Sequence, residues 1–406
     1  MIPNEAMIRR LAEGKDSFYL YDENTITLRM ERLRSLFPGV EFLYSMKCNS
    51  NRHVSECIFR NGFGADAASS GEVLIAHSMG VGKEDIMYSV PGKSVHDIEE
   101  TIDKSIIIAD SIGEMELIEA LAEREGRVIE IGVRVNPDFS FNGGAPTPSK
   151  FGVDEPDLVR ILEDGTFPHL SVVGIHVHLK SQELDAGILS RYHENVLALV
   201  RRIQSVNPVE MGFVNMGSGI GIDYRESDEP MDLDVLSERL RDSVSTFRQS
   251  FPGMRIIIET GRFITGKAGV YVTKVADRKV SRGKTFVILN NTLNGFVRPS
   301  LARMVAHYSP EESPGMMEPL FTAVDAFQFI PLRDAGEMEV VDLVGNLCTA
   351  SDVIAEGVSM PVLGRGDIVV ITNAGAYASV LSPKQFSSQR GIGEFFLCAD
   401  GETVLE

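Results

Sequence analysis

Two segments of the chain contain residues that could carry out amine or imidazole chemistry. Lys47 ends the apolar run EFLYSMK, where burial would lower the pKa of its amine and make it a nucleophile. A lysine that reaches solvent from a strand end is the alternative interpretation. His176 and His178 lie two residues apart in GIHVHLKSQ, so on a strand they face the same side. They are either metal ligands or a pair of interior histidines.

Two later segments offer groups that could bind a phosphate or a cation. NMGSGIGIDY contains Gly217, Gly219 and Gly221, whose backbone N–H groups could bind a phosphate or could simply form a tight turn. The run IIIETGR places Glu259 where burial requires a cationic partner, and Arg262 could pair with it or with a phosphate. Together with a lysine amine and a histidine ring, these groups form the set that pyridoxal phosphate needs.

The elements that must position these residues are predicted from the hydrophobic pattern. Over the first two thirds of the chain, short apolar runs alternate with longer amphipathic segments, which predicts βα units on a parallel sheet. In a (β/α)8 barrel the active site lies at the carboxyl ends of the strands. The predicted strands end near Lys47, Ser69, Val90, Asp110, Asn136, Leu179, Gly217 and Glu259.

The pattern changes after about residue 266. Segments rich in Val, Ile, Phe and Thr follow one another with Gly, Pro or charged residues between them, which predicts an all-β domain. The strand-like SFYLYDENTI near the N-terminus is expected to pack with it. We therefore predict an α/β protein with a (β/α)8 TIM barrel over residues 30–265 and a β domain formed by residues 1–29 and 266–406. A polar Pro/Gly-rich loop is predicted over residues 307–318.

Composition narrows the class of protein. Lys and Arg total 39 against 58 Asp and Glu, which gives a net charge of −19, so nucleic acid and membrane surfaces are poor partners. Four cysteines in 406 residues are too few for a disulfide framework and lack zinc-site spacing. The N-terminus has no apolar signal-peptide core. We expect a cytoplasmic enzyme without a metal.

Several ordered motifs resemble the fold-type III pyridoxal-phosphate decarboxylases, the diaminopimelate, ornithine and arginine decarboxylase group, whose barrel is related to that of alanine racemase. The resemblance runs from about residue 19 to about residue 378. YSMKCN resembles Y-A-x-K-A-N, GADAASSGE resembles the segment after strand two, GIHVHLKSQ resembles G-x-H-x-H-x-G-S-Q, GSGIG resembles G-G-G-x-G, ETGR resembles E-P-G-R, VGNLCTASD resembles G-P-x-C-E/D-x-x-D, and NAGAYA resembles G-A-Y.

This resemblance implies a role for each matching residue. Lys47 would be the Schiff-base lysine, and Cys348 would reach the active site of the neighbouring subunit in a homodimer with shared sites. The implied cofactor contacts are His178 with the ring, Glu259 with the pyridine nitrogen, Ser181, Gly219, Gly261 and Arg262 with the phosphate, and Tyr377 facing the cofactor.

Two departures from the family pattern, and one arginine that matches it, bear on the site and its substrate. Lys180 stands where a glycine is usual, and Thr349 stands where the diaminopimelate and basic amino-acid enzymes have an acidic residue. Arg298 in FVRPSLARM resembles an arginine that binds a distal carboxylate. The C-T-x-x-D motif and the GGAPTPSKFG segment around Lys150 resemble the branch that acts on siderophore intermediates or carrier-bound glutamate. We predict a decarboxylase of a modified, acylated or carrier-linked α-amino acid from siderophore or antibiotic biosynthesis.

Other functions remain open at this point. Diaminopimelate decarboxylation in lysine biosynthesis and amino-acid racemisation use the same cofactor, although racemases usually place arginine where this chain has Glu259. A non-catalytic paralogue would retain only the fold. A metal-dependent hydrolase would use His176 and His178 as ligands.

Overall fold

The computed structural model describes residues 4–217, 219–308, 319–320, 322–333 and 336–406. Residues 309–318 of the predicted polar loop therefore lie outside the described residues. The strands are β1 (Ser17–Asp22), β2 (Glu41–Ser45), β3 (Gly64–Ala67), β4 (Ile86–Tyr88), β5 (Ile106–Ala109), β6 (Ile129–Asn136), β7 (Val153–Asp154), β8 (Leu170–His176), β9 (Phe213–Asn215), β10 (Arg255–Thr260), β11 (Gly269–Ser281), β12 (Lys284–Leu289), β13 (Phe329–Pro331), β14 (Met338–Gly345), β15 (Val353–Pro361), β16 (Ile368–Ile371), β17 (Gly393–Leu397) and β18 (Val404–Leu405).

Helices follow most of the parallel strands, and several begin at a polar residue whose side chain accepts a backbone N–H bond. Ser69 caps α4 in this way, as Ser111 caps α6. The helices are α1 (Glu5–Gly14), α2 (Glu23–Leu36), α3 (Arg52–Arg60), α4 (Ser70–Ser78), α5 (Val95–Thr101), α6 (Ile112–Glu125), α7 (Glu155–Asp164), α8 (Ala186–Val206), α9 (Leu233–Arg248), α10 (Arg262–Thr265) and α11 (Val297–Tyr308).

A closed barrel of eight parallel strands forms the first part of the chain. Its strands run in the order β5, β4, β3, β2, β10, β9, β8 and β6, and pairing of β5 with β6 closes the ring. Each strand coincides with one of the eight predicted apolar runs. The predicted (β/α)8 TIM barrel is confirmed, and the carboxyl ends of all eight strands meet at one end of it.

Apolar side chains fill the interior of the barrel below that end. Phe213 is the largest of them, and its ring lies against Gly132 and Gly174 on the neighbouring strands. A Cβ atom on Gly174 would lie 2.5 Å from two carbons of the Phe213 ring, so only glycine leaves room for it. This plug is formed by Leu43, Met87, Ile106, Ile108, Phe213 and Ile257. The centre of the barrel is therefore a packed apolar core rather than a channel.

A second sheet, separate from the barrel, contains the N-terminal strand and the C-terminal strands. β1 pairs antiparallel with β11 and parallel with β17, so the N-terminal strand is held between strands from the other end of the chain. The prediction of a mostly β second unit is confirmed. The exact residue limits of the two predicted domains stay a prediction.

Two helices that accompany this second sheet were not predicted. α1 buries Met7, Ile8 and Ala12 against apolar residues of β1 and β11. α11 has Pro299 in its first turn, a position that proline tolerates because the N–H there has no intrahelical partner. Both helices lie inside the domain that the sequence predicts to be all-β. In the described part of the chain, no helix combines the length and apolar character needed to cross a bilayer.

Candidate active site

A buried carboxylate with cationic and amide neighbours lies at the end of β10. Glu259 is 1% exposed, and Asn215 Nδ2 donates to its Oε1 at 2.9 Å. His176 Nε2 is 3.1 Å from the same oxygen, and His178 Nδ1 is 3.8 Å from Oε2. Burial alone would raise the pKa of Glu259, but His176, Lys47 and His178 hold it well below its ordinary value. The carboxylate is therefore ionised inside the barrel mouth.

Lys47 lies next to this carboxylate, in a short turn that follows β2. Its Nζ is 2.9 Å from Oδ2 of the fully buried Asp66, and Ser89 Oγ donates to the other oxygen of Asp66 at 2.6 Å. Burial alone would lower the pKa of Lys47, but Asp66 and then Glu259 raise it above its ordinary value. The expectation of a lowered pKa is therefore wrong. The side chain is nevertheless 41% exposed, so a ligand can reach the ammonium group.

The segment after β8 contributes an uncharged histidine ring. Burial lowers the pKa of His178 to about 3, so the ring is neutral at physiological pH. Ser181 Oγ is 3.4 Å from His178 Nε2. The guanidinium of Arg134, which pairs with Asp110 at 3.4 Å, donates to the backbone oxygen of His178 at 3.3 Å. Arg134 and Asp110 therefore help to hold the backbone from which the ring extends.

The glycine loop after β9 packs tightly against the loop after β8. Gly217 has a φ of +68°, and a Cβ atom there would lie 2.4 Å from the Val177 carbonyl oxygen. Gly219 O accepts from Glu183 N at 2.8 Å, and Gly221 N donates to Glu183 O at 2.9 Å. A tight turn and a phosphate-binding loop both require this close main-chain approach.

Arg262 and Tyr377 approach the Lys47 turn from the other side. A Cβ atom on Gly261 would lie 2.7 Å from Cys48 Sγ, so the chain can pass here only without a side chain. The Arg262 guanidinium is 4.7 Å from the centroid of the Tyr377 ring, and the Tyr377 backbone N donates to Cys48 O at 2.7 Å. Burial raises the pKa of Tyr377 to about 12, so its hydroxyl is protonated.

Arg298 reaches the same place from helix α11 rather than from a barrel strand. The residue is fully buried. Its Nη1 donates to the hydroxyl of Tyr224 at 3.2 Å, and the same hydroxyl accepts from Arg262 Nη1 at 2.7 Å. The Arg298 guanidinium also lies 5.6 Å from the centroid of the Phe327 ring. The structure thus brings Arg298 and Arg262 to one tyrosine.

Cys348 and Thr349 lie elsewhere, in the exposed connection between β14 and β15. Cys348 Sγ is 3.8 Å from Ser387 Oγ, and Thr349 Oγ1 is 2.8 Å from Ser351 Oγ. Among the hydrogen bonds of the described residues, neither side chain is joined to the group around Glu259. A single chain therefore brings together the other predicted site residues but not these two.

Sequence reasoning missed several members of this group. Asp66 lies in GADAASSGE and Asn215 in NMGSGIGIDY, segments that were recognised as motifs without these residues being assigned a role. The signal that could have found them is a polar residue within a buried strand, because such a side chain needs a partner. The missed residues are Asp66, Ser89, Arg134, His176 as a partner of Glu259, Asn215 and Tyr224.

The group fits pyridoxal phosphate in its chemistry. An accessible amine matches the aldehyde, a neutral imidazole can lie against a ring, and an ionised carboxylate can hold a proton on the pyridine nitrogen. A buried guanidinium near a close-packed glycine loop matches the phosphate. Within the described ranges, no set of three or more His, Cys, Asp or Glu side chains is arranged to hold a metal ion.

Sequence comparison gives a consistent result. The family described as pyridoxal-dependent decarboxylase, pyridoxal binding domain, matches residues 23–266. The L-glutamyl-[BtrI acyl-carrier protein] decarboxylase of Niallia circulans is 33% identical over 387 residues, 91% of this chain and 86% of that protein. The diaminopimelate decarboxylase of Aquifex aeolicus is 30% identical over 374 residues, 90% of this chain and 82% of that protein.

Solved structures agree in fold. The diaminopimelate decarboxylase of Helicobacter pylori complexed with L-lysine superposes with a TM-score of 0.82 at 25% identity, covering 98% of this chain and 95% of that one. The lysine decarboxylase of Selenomonas ruminantium gives a TM-score of 0.79 at 20% identity, with 98% and 96% covered, and shows the fold alone. From the barrel, its amine and carboxylate, and the matching sequences, we conclude that this chain belongs to the fold-type III pyridoxal-phosphate-dependent amino-acid decarboxylases.

Proposed function

We propose that this decarboxylase acts on an α-amino acid with a distal anionic or acyl group, either free or attached to a carrier, in siderophore or antibiotic biosynthesis. The observation that carries the proposal is the fully buried Arg298 beside Arg262. A guanidinium in this position favours a substrate with negative charge away from the reacting carbon. The 33% identity to a carrier-protein glutamyl decarboxylase also supports it.

The proposed roles of the chain's residues follow from their surroundings. Pyridoxal phosphate supplies the electron sink that loss of a carboxylate requires. We assign Lys47 to its aldehyde and Glu259 to its pyridine nitrogen, where an ionised carboxylate keeps the proton in place. We assign the ring face to His178, the phosphate to Ser181, Gly219, Gly261 and Arg262, and a position facing the cofactor to Tyr377.

The charge of Glu259 also bears on racemisation, the alternative reaction. An ionised carboxylate at the pyridine nitrogen makes the cofactor a strong electron sink and so favours loss of the substrate carboxylate. A racemase needs acid and base groups on both faces of the reacting carbon. Racemases usually place an arginine at the pyridine nitrogen, so the carboxylate of Glu259 favours decarboxylation over racemisation.

Diaminopimelate decarboxylation is the second candidate, because relatives with that name reach 30% identity. Thr349 weighs against it: its hydroxyl carries no charge, whereas a distal ammonium needs an acidic partner when it is buried. We expect free diaminopimelate, lysine and ornithine to be poor substrates. Measurement of carbon dioxide release from free, acylated and carrier-linked amino acids tests the proposal, and ordinary turnover of diaminopimelate would contradict it.

Replacing Arg298 should separate substrates by their distal charge. We expect Arg298→Ala to lower kcat/KM for the best distally anionic substrate by about 100-fold, because the buried pair between the guanidinium and the distal anion of the substrate is lost. A substrate without the distal anion should be affected much less. Arg303→Ala is the matched control, since Arg303 lies on the same helix and pairs with Glu356. An unchanged kcat/KM in Arg298→Ala would refute the specificity argument while leaving the cofactor assignment intact.

We also propose a homodimer in which Cys348 completes the site of the partner subunit. The connection that carries Cys348 is exposed but well anchored. The buried carboxylate of Asp352 accepts from Leu347 N and Leu293 N at 3.0 Å each and from the hydroxyl of Thr292. An exposed thiol on an anchored loop is suited to insertion into a neighbouring molecule, where it, or a water it positions, could deliver a proton to the substrate carbon.

Mixing two inactive variants tests this arrangement. Lys47→Ala and Cys348→Ala should each have little activity alone, because each removes one half of every composite site. In a random 1:1 mixture after subunit exchange, half of the dimers carry one intact site, so about a quarter of wild-type activity should return. Carbon dioxide release before and after exchange measures it. No recovery despite exchange, or a fully active monomer in sizing experiments, would contradict the shared site.

A cytoplasmic location is proposed from the cysteines, and the class of binding partner from the net charge. All four cysteines are free thiols, which is typical of a reducing compartment. The net charge of −19 disfavours anionic partners such as nucleic acid and lipid surfaces. A small-molecule or carrier-linked amino acid is therefore the proposed binding partner.

A further inference from the structure

Tyr224 lies where the glycine loop, helix α10 and helix α11 meet. It is 7% exposed, and its backbone oxygen accepts from Asn373 Nδ2 at 3.2 Å. Its hydroxyl oxygen accepts hydrogen bonds from two guanidinium groups, those of Arg262 at 2.7 Å and Arg298 at 3.2 Å. One side chain of the glycine-loop segment thus contacts the two arginines that come from different elements.

The chemistry of these groups determines what the hydroxyl can do. A guanidinium only donates hydrogen bonds, whereas a tyrosine hydroxyl has two acceptor lone pairs and one proton. Two guanidinium donors occupy both lone pairs of Tyr224. The ring adds a cation–π contact to each of them, with centroid distances of 5.7 Å to Arg262 and 5.2 Å to Arg298. These contacts fix both cations relative to one rigid ring.

We propose that Tyr224 is a positioning residue that couples the cofactor-phosphate site to the site for the distal group of the substrate. It fixes Arg262, the proposed phosphate ligand, and Arg298, the proposed anchor of the distal anion, through one oxygen atom. Movement of either guanidinium is transmitted to the other through that oxygen. The inference rests on the proposed function, because it takes the roles of both arginines from there.

A purely structural role for Tyr224 predicts a different result. Its ring also packs against Phe327, with centroids 6.4 Å apart, and phenylalanine would preserve that contact. Tyr224→Phe therefore removes only the hydroxyl. If packing is the whole role of Tyr224, this variant will bind ligands as the wild type does.

The first test compares a ligand that has a phosphate with one that lacks it. Apo-protein is titrated with pyridoxal phosphate and with pyridoxal, and the absorption of the bound ligand gives each Kd. We expect Tyr224→Phe to raise the Kd for pyridoxal phosphate by about tenfold, because hydrogen bonds to charged groups are lost. The Kd for pyridoxal should rise by less than about twofold. Tyr271→Phe is the matched control, since its buried hydroxyl donates to the backbone oxygen of Asn291. It should leave the ratio of the two Kd values unchanged.

The second test measures the coupling itself. Arg298→Met should raise the Kd for pyridoxal phosphate by about threefold in the wild-type background. In the Tyr224→Phe background it should leave that Kd unchanged, because the hydroxyl that transmits the effect is absent. The proposal would be overturned if the effects of Arg298→Met and Tyr224→Phe on the binding free energy of pyridoxal phosphate were strictly additive. It would also be overturned if Tyr224→Phe raised the Kd values of both ligands equally. If Tyr224→Phe fails to fold, Arg298→Met alone still decides, since an unchanged ratio of the two Kd values would refute the coupling. Failure of the wild type to bind pyridoxal phosphate would instead refute the assigned function.

Discussion

Lys47→Ala is expected to lower decarboxylation by at least about 1,000-fold, because it removes the amine that we assign to the cofactor aldehyde. The purified variant should also lose the visible absorption band that the wild type acquires with pyridoxal phosphate. Reduction of the wild type with borohydride, followed by peptide mass mapping, should place the label on Lys47. Absorption spectra, mapping and turnover thus test one residue in three ways.

Lys180→Ala is the control for this experiment. Its ammonium is half-buried at the same end of the barrel and pairs with Glu183 at 2.8 Å, so it is a competing amine. The Lys180→Ala variant should retain the absorption band and the label on Lys47. A wild type that stays colourless with pyridoxal phosphate, or a label on Lys180, would contradict the assignment.

The barrel could be predicted from the sequence because its strands have a simple pattern. Strands such as β5, with the sequence IIIA, are buried on both faces and therefore form continuous apolar runs. Repeated βα units then leave few arrangements other than a barrel or an open sheet. The helix α11 could not be found in this way, because it packs beside a sheet and its start is marked by Pro299 in an otherwise β-rich region.

The candidate site was predictable only where a residue type was unusual for its position. Lys47 and Glu259 are charged residues at the ends of apolar strands, so each required an explanation. The partners that set their pKa values could not be identified, because Asp66 and His176 come from other strands and only the barrel brings them near. That is why the pKa of Lys47 was expected to be lowered, whereas Asp66 raises it.

Tyr224 and Arg298 were harder still, since their contact depends on a loop and on a helix from the second unit. A resemblance between motifs could suggest that Arg298 binds substrate. It gave no indication that the same hydroxyl would join it to Arg262. Contacts between elements that are distant in sequence follow from packing geometry rather than from local pattern.

Glu259 is ionised in the folded protein, and this charge has a defined pH dependence. Its folded-state pKa lies below that of an unfolded glutamate, which is about 4.3. The stabilisation from the ionised form is therefore fully present above that value and is lost as the pH falls through the folded-state pKa. Across the neutral range Glu259 should stay charged, so it should add no step to the pH profile of turnover there.

Glu259→Gln should remove that charge with little change in shape. We expect kcat/KM to fall by about 100- to 1,000-fold, because a neutral amide cannot hold a proton on the pyridine nitrogen. The absorption of the bound cofactor should then change with pH in the neutral range, which it should not do in the wild type. Glu155→Gln is the control: Glu155 is also buried and pairs with Arg202 at 2.8 Å, so it should alter stability without altering these spectra. A pH-independent spectrum together with wild-type turnover in Glu259→Gln would show that the carboxylate does not control the pyridine nitrogen.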